Sequence, residues 1–75
     1  MLITMEPMTV HPLRRLRLAR GLPQAGLAVQ AGCSPTTVLI IERWGHVPSL
    51  PVRQRLAAAL GVDVREIWPG EETLA

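Results

Sequence analysis

Apolar residues return every three or four positions through the middle of the chain, the spacing that lines one face of a helix. Leu13 and Leu16 stand one turn apart. Leu27, Ala28 and Ala31 follow, then Val38 and Ile41, then Val52, Leu56, Ala59 and Leu60. Glycine and proline punctuate these stripes. Pro12 predicts the start of a first helix and Gly21 its C-terminal cap. A second helix is expected from about Pro23 to Ala31, ended by Gly32. Gly26 lies inside it, at a cost of roughly 1 kcal/mol against Ala. Ser34-Pro35 opens a third, because a serine hydroxyl caps free N–H groups and proline suits the first helical position. The segment from Trp44 to Pro48 reads as a loop. Ser49 is expected to cap a fourth helix, which tolerates Pro51 in its first turn and stops at Gly61. Asp63 and Glu66 have the spacing of a capping box. A short fifth helix is therefore expected over Val64 to Trp68, ended by Pro69-Gly70. There are no internal repeats.

The resulting plan is one all-α domain over residues 12–69. An N-terminal arm covers residues 1–11, where Pro7 and Pro12 bar a continuous helix, and an acidic tail covers residues 70–75. At 75 residues the chain buries a limited core, so a homodimer or very good helix packing would help it. With no Phe or Tyr and two Trp, that core must be aliphatic.

Charge adds a direction. Between His11 and Arg55 there are seven Arg and one acid, Glu42; from Leu56 onward there are one Arg and four acids. A basic body with an acidic tail suits a polyanionic partner, though a merely solvated surface fits the charge equally. The single cysteine, Cys33, excludes an internal disulfide and a cysteine-based zinc site. Cys33 reads as a small core filler. Two distant histidines make no metal motif, and no cofactor is implied. No stretch suits a membrane span, and no signal peptide stands at the N-terminus, so a cytoplasmic location is expected. No nucleophile–base pair, metal cluster or phosphate loop is present, which argues against an enzyme.

The segment from Gln24 to Arg43 (QAGLAVQAGCSPTTVLIIER) carries the strongest signal. Two short helices are joined by a turn of about three residues containing glycine, the plan of a helix-turn-helix. Crossing helices need a small residue where they touch, and Ala28 fits. The turn needs a residue free to adopt a left-handed backbone, and Gly32 fits. Leu27, Ala31, Cys33, Val38 and Ile41 supply apolar contacts at fixed offsets.

With LRRLRLARGLPQAGLA before it, PSL at Pro48 and AAALGVDVREIW after it, this unit resembles the phage-repressor-like (Cro/repressor, XRE) helix-turn-helix family over about Leu13 to Trp68. The resemblance implies a five-helix, lambda-repressor-like DNA-binding domain, acting as a dimeric transcriptional regulator, in expectation a repressor. It implies an ion pair between Arg17 and Glu42. Glu42 is also the lone acid of the basic stretch and follows an apolar run, where an unpaired charge would be costly. It implies that the third helix enters the major groove of double-stranded DNA, with Pro35, Thr36, Leu39 and Ile40 facing bases and Thr37 near the backbone. Gln24 would sit beside a phosphate, and Arg43 would reach another. His46, Arg53 and Arg55 are further candidates for phosphates.

Five positions depart from the family pattern. Pro35, Leu39 and Ile40 offer no hydrogen bonds to base edges, and apolar side chains could touch only thymine methyls; DNA shape is the other route to specificity. Trp44 stands where glycine is frequent, and a packing role is expected for it. Pro23 stands where a Ser, Thr or Asn cap is usual. A second class of function follows: a protein-interaction module or antitoxin on the same fold, with Leu39, Ile40 and Trp44 as its contact patch for a protein partner. Trp68 is expected in the core or at a dimer interface.

Overall fold

The computed structural model describes residues 10–70; residues 1–9 of the expected arm and residues 71–75 of the acidic tail lie outside the described residues. Among the described residues four α-helices follow one another: α1 (Pro12–Ala19), α2 (Gln24–Ala31), α3 (Pro35–Trp44) and α4 (Leu50–Leu60). A 3₁₀ turn, Val64–Glu66, comes after them.

Local chemistry explains the boundaries. At α1 the cap is His11, whose Nδ1 accepts from the Leu13 N–H at 3.0 Å. At α3 the Ser34 hydroxyl accepts from the Thr37 N–H at 3.1 Å, as its sequence position predicts. Pro23 occupies the cap position of α2 with extended backbone and gives no side-chain cap, so the helix proper begins at Gln24. Gly26 costs helix propensity but leaves room for the Pro23 ring. A Cβ there would lie 3.2 Å from Pro23 Cδ.

Three expectations need correction. Ser49 precedes α4, yet its side chain makes no capping hydrogen bond. The expected fifth helix, Val64 to Trp68, is only the 3₁₀ turn. Its capping box is present, with Asp63 accepting from the Arg65 N–H at 2.8 Å and Glu66 accepting from the Asp63 N–H at 3.3 Å. Pro69 cannot donate to a growing helix. Trp44 is not in the loop: α3 runs through it and ends at Gly45, whose φ of +72° supplies the left-handed cap.

The core is aliphatic. Leu13, Leu27, Ala28, Ala31, Val38, Ile41, Leu56, Ala57, Leu60 and Ile67 are buried, with Trp68 as the one buried aromatic. Leu16, Cys33, Val52 and Ala59 pack at its margin. Ala57, rather than Ala59, is the fully inward alanine of α4. The helix α2 is central, packing on both α3 and α4, while α1 lies against α3 and the 3₁₀ turn against α4. Trp68 meets the His11 ring edge-on, with centroids 6.5 Å apart, which joins the two ends of the described chain.

Candidate nucleic-acid interface

The turn between α2 and α3 is short and rigid. Gly32 adopts φ +69°, and the Gly32 and Cys33 N–H groups donate to the Val29 and Ala28 carbonyls at 3.2 and 3.0 Å. Arg55, on α4, reaches across and donates from Nε to the Ala31 carbonyl at 2.9 Å. The last turn of α2 is thus held from a third helix. Burial pushes the Cys33 thiol up from its ordinary value, although the Arg55 charge opposes this. That favours the protonated thiol of a packing residue.

A buried ion pair fixes α1 and α3 to each other. Arg17 donates from Nε to Glu42 Oε2 at 2.7 Å and from Nη2 to Oε1 at 2.9 Å. The side chains are 8% and 4% exposed. Arg17 Nη1 also donates to the Leu22 carbonyl at 2.7 Å, which ties in the turn before α2. Burial alone would raise the Glu42 carboxyl. Hydrogen bonds from Arg17 and Gln24, with the charges of Arg17 and Arg14, hold it below the ordinary carboxylate value. The hydrogen bond to Glu42 raises the Arg17 pKa against the opposing effect of burial.

The free side of α3 carries the residues expected to face DNA. Pro35, Thr36, Leu39 and Arg43 are exposed, and Ile40 is half-buried. Thr36, Leu39, Ile40 and Arg43 follow helical spacing, so they form one outward stripe. Thr37 is half-buried, with Oγ1 3.1 Å from Ser34 Oγ. Gln24 lies at the start of α2, where its Nε2 donates to Glu42 Oε1 at 3.1 Å. Gln24, Leu39 and Arg43 therefore border one cleft together with the ion pair. Pro35, Thr36, Thr37 and Ile40 lie outside it.

Other basic residues divide by role. Arg53 donates from Nε to the Pro48 carbonyl at 3.0 Å, as Arg55 does to Ala31, so both buttress backbone. His46 is exposed in the loop after α3. Trp44, expected to pack, is 73% exposed, because continuing α3 by one residue turns its side chain away from the core. The Arg43 guanidinium lies 5.6 Å from the Trp44 ring centroid, a cation–π contact. Arg14 was not singled out from the sequence. Its signal was present: it stands three residues before Arg17, hence on a neighbouring part of the same helix face. Among the described residues no group of His, Cys, Asp and Glu could hold a metal ion, and no helix is long and apolar enough to cross a membrane.

A family model described as a helix-turn-helix domain matches residues 11–67. The chain belongs to this helix-turn-helix family, of the repressor-like XRE and Cro type, and is a DNA-binding transcriptional regulator. Among solved structures it is similar to the restriction-modification controller protein C.AhdI from Aeromonas hydrophila, at 38% identity and a TM-score of 0.72, covering 77% of this chain and 88% of that one. It is also similar to the hypothetical transcription factor NHTF from Neisseria, at 34% identity and a TM-score of 0.68, covering 84% of this chain and 74% of that one. No curated protein sequence matches the chain. Both structural relatives carry regulatory descriptions rather than enzymatic ones.

Proposed function

We propose that the protein is a transcriptional repressor that binds a two-fold symmetric double-stranded DNA site as a homodimer, with α3 in the major groove. The observation that carries this reading is the rigidly held α2–turn–α3 unit, whose outward stripe of Thr36, Leu39, Ile40 and Arg43 is free of core contacts made by Val38 and Ile41. The likeness to a controller protein and a transcription factor supports it. In this reading Pro35, Thr36, Leu39 and Ile40 meet base edges. Leu39 and Ile40 contact thymine methyls, and Thr36 supplies a hydroxyl for hydrogen bonding. Thr37, Gln24 and Arg43 serve the sugar–phosphate backbone, which sets position rather than sequence. Residues 12–69 form the working domain, with residues 1–11 as an arm and 70–75 as a tail.

Selection of preferred sites from a random duplex library tests this. Recovery of a two-fold symmetric site with T-rich steps in each half supports it. Absence of any enriched site at moderate salt contradicts sequence reading by α3.

A second reading rests on Trp44. Trp44 at the end of α3 is 73% exposed, and Leu39 (40%) within α3 and Val47 (42%) in the loop after it are exposed too, apolar surface suited to a protein partner. Site selection distinguishes the two: the repressor reading expects an enriched site that Trp44→Asp leaves unchanged, and the partner reading expects no enriched site even for the parent protein.

A further inference from the structure

Beside the buried ion pair, α1, the start of α2 and α3 enclose an open cleft of about 310 Å³, lined by Arg14, Arg17, Gln24, Leu39, Glu42 and Arg43. Three guanidiniums share it with one carboxylate. Arg17 is matched by its bidentate contact with Glu42. Arg14 and Arg43 are exposed, and among the described residues neither is in an ion pair. The cleft therefore holds an excess of positive charge at its mouth. Its floor carries a hydrogen-bond donor, since the Gln24 amide rests on Glu42 Oε1 only 3.1 Å away. Glu42 keeps both contacts from Arg17 if that amide turns outward. The first turn of α2 borders the same space without a capping side chain, because Pro23 supplies none.

We infer that this cleft seats one phosphate of the DNA backbone, with Arg14 and Arg43 as its two cationic arms and Gln24 as the donor between them. The inference rests on the DNA-binding reading and adds to it a contact from α1, outside the helix-turn-helix itself. Arg14 is a positioning residue here. A phosphate gripped from α1, α2 and α3 at once fixes the angle at which α3 meets the groove, while carrying no base preference of its own. Gln24 then changes partner on binding, from Glu42 in the free protein to the phosphate in the complex.

The test compares Arg14→Ala, Arg14→Lys and Arg15→Ala for binding to a mixed-sequence duplex across a salt series. Phosphate contacts are independent of sequence, so no operator is required. Arg15 is exposed on the same helix but does not line the cleft, which makes it a control for general charge. Arg14→Ala is expected to weaken binding roughly tenfold and to lower the slope of log K against log salt by about 1 per bound protomer. Arg14→Lys should keep most of the slope. Arg15→Ala should stay close to the parent protein. The thermal midpoints should agree, since both arginines are exposed. Equal losses for Arg14→Ala and Arg15→Ala would overturn the inference, as would no loss for either. Failure of the parent protein to bind any duplex would instead overturn the DNA-binding reading beneath it. In an NMR titration, the Gln24 side-chain amide should shift with duplex and not saturate with millimolar inorganic phosphate. Saturation by inorganic phosphate, with duplex binding indifferent to Arg14, would assign the cleft to a free anion and overturn the inference.

Discussion

Glu42→Ala should be among the most damaging single substitutions in this domain, although it removes neither a large side chain nor a base contact. The carboxylate accepts from Arg17 Nε, Arg17 Nη2 and Gln24 Nε2. Its loss leaves the Arg17 guanidinium, on a residue only 7% exposed, with the Leu22 carbonyl as its remaining partner. Breaking a buried pair from one side costs about 3–5 kcal/mol, because the surviving charge stays desolvated. A domain of this size is stable by roughly 3–9 kcal/mol. The variant should therefore lie near its unfolding threshold at room temperature. Urea denaturation followed by helical circular dichroism at neutral pH measures the loss. Arg17→Met with Glu42→Leu should recover most of it, since both desolvation penalties then disappear together. A loss for Glu42→Ala below about 1 kcal/mol would show that the pair behaves like a solvated surface contact and not as a desolvated one.

Two further perturbations follow from the geometry. Burial lowers the His11 pKa below its ordinary 6.5, against the opposing pull of Glu42, and its neutral Nδ1 caps α1. The stability it contributes is thus complete above pH 6.5 and declines as pH falls through the lower folded value. The thermal midpoint should drop on acidification across that window, and His11→Ser, which keeps a capping oxygen, should flatten the drop. Glu42, also lowered, adds a separate loss below its ordinary value of 4.5. Gly32→Ala places a side chain in left-handed backbone at the turn, at a cost of about 1–2 kcal/mol, measurable as a shifted urea midpoint. The same change at Gly26, in ordinary helical backbone, escapes that strain but sets a Cβ 3.2 Å from Pro23 Cδ, so the roughly 1 kcal/mol of helix propensity it gains is offset by the shift forced on the ring.

What could be read from the sequence was mostly local. Pro12, Ser34-Pro35, Gly32 and Gly61 mark helix ends through backbone rules that act within a few residues, and the structure follows them. The inward stripes of α2 and α3 were legible for the same reason. Contacts between distant residues were not. Nothing near Gln24 signals that its amide lies on Glu42, and nothing near Arg55 signals that it holds the Ala31 carbonyl; both depend on how helices cross. The pairing of Arg17 with Glu42 was accessible only because a lone acid in a basic stretch demands a partner and the family resemblance suggested which one. Trp44 was misplaced because two adjacent residues, Trp44 and Gly45, competed to end α3, and the glycine, with its φ of +72°, takes the cap. The 3₁₀ turn had a helix-like capping signature in Asp63 and Glu66 but lacked the length to continue past Pro69.

The claim that α3 reads bases through apolar side chains is tested most directly by changing one reader and selecting sites again. Ile40→Gln replaces a methyl-contacting surface with an amide able to make paired hydrogen bonds to adenine. Site selection with the parent and the variant, side by side, should return the same two-fold symmetric site except at one base pair in each half, where adenine gains about 1–3 kcal/mol of preference. Identical sites from both proteins would show that Ile40 does not face the bases and that α3 does not read DNA through it.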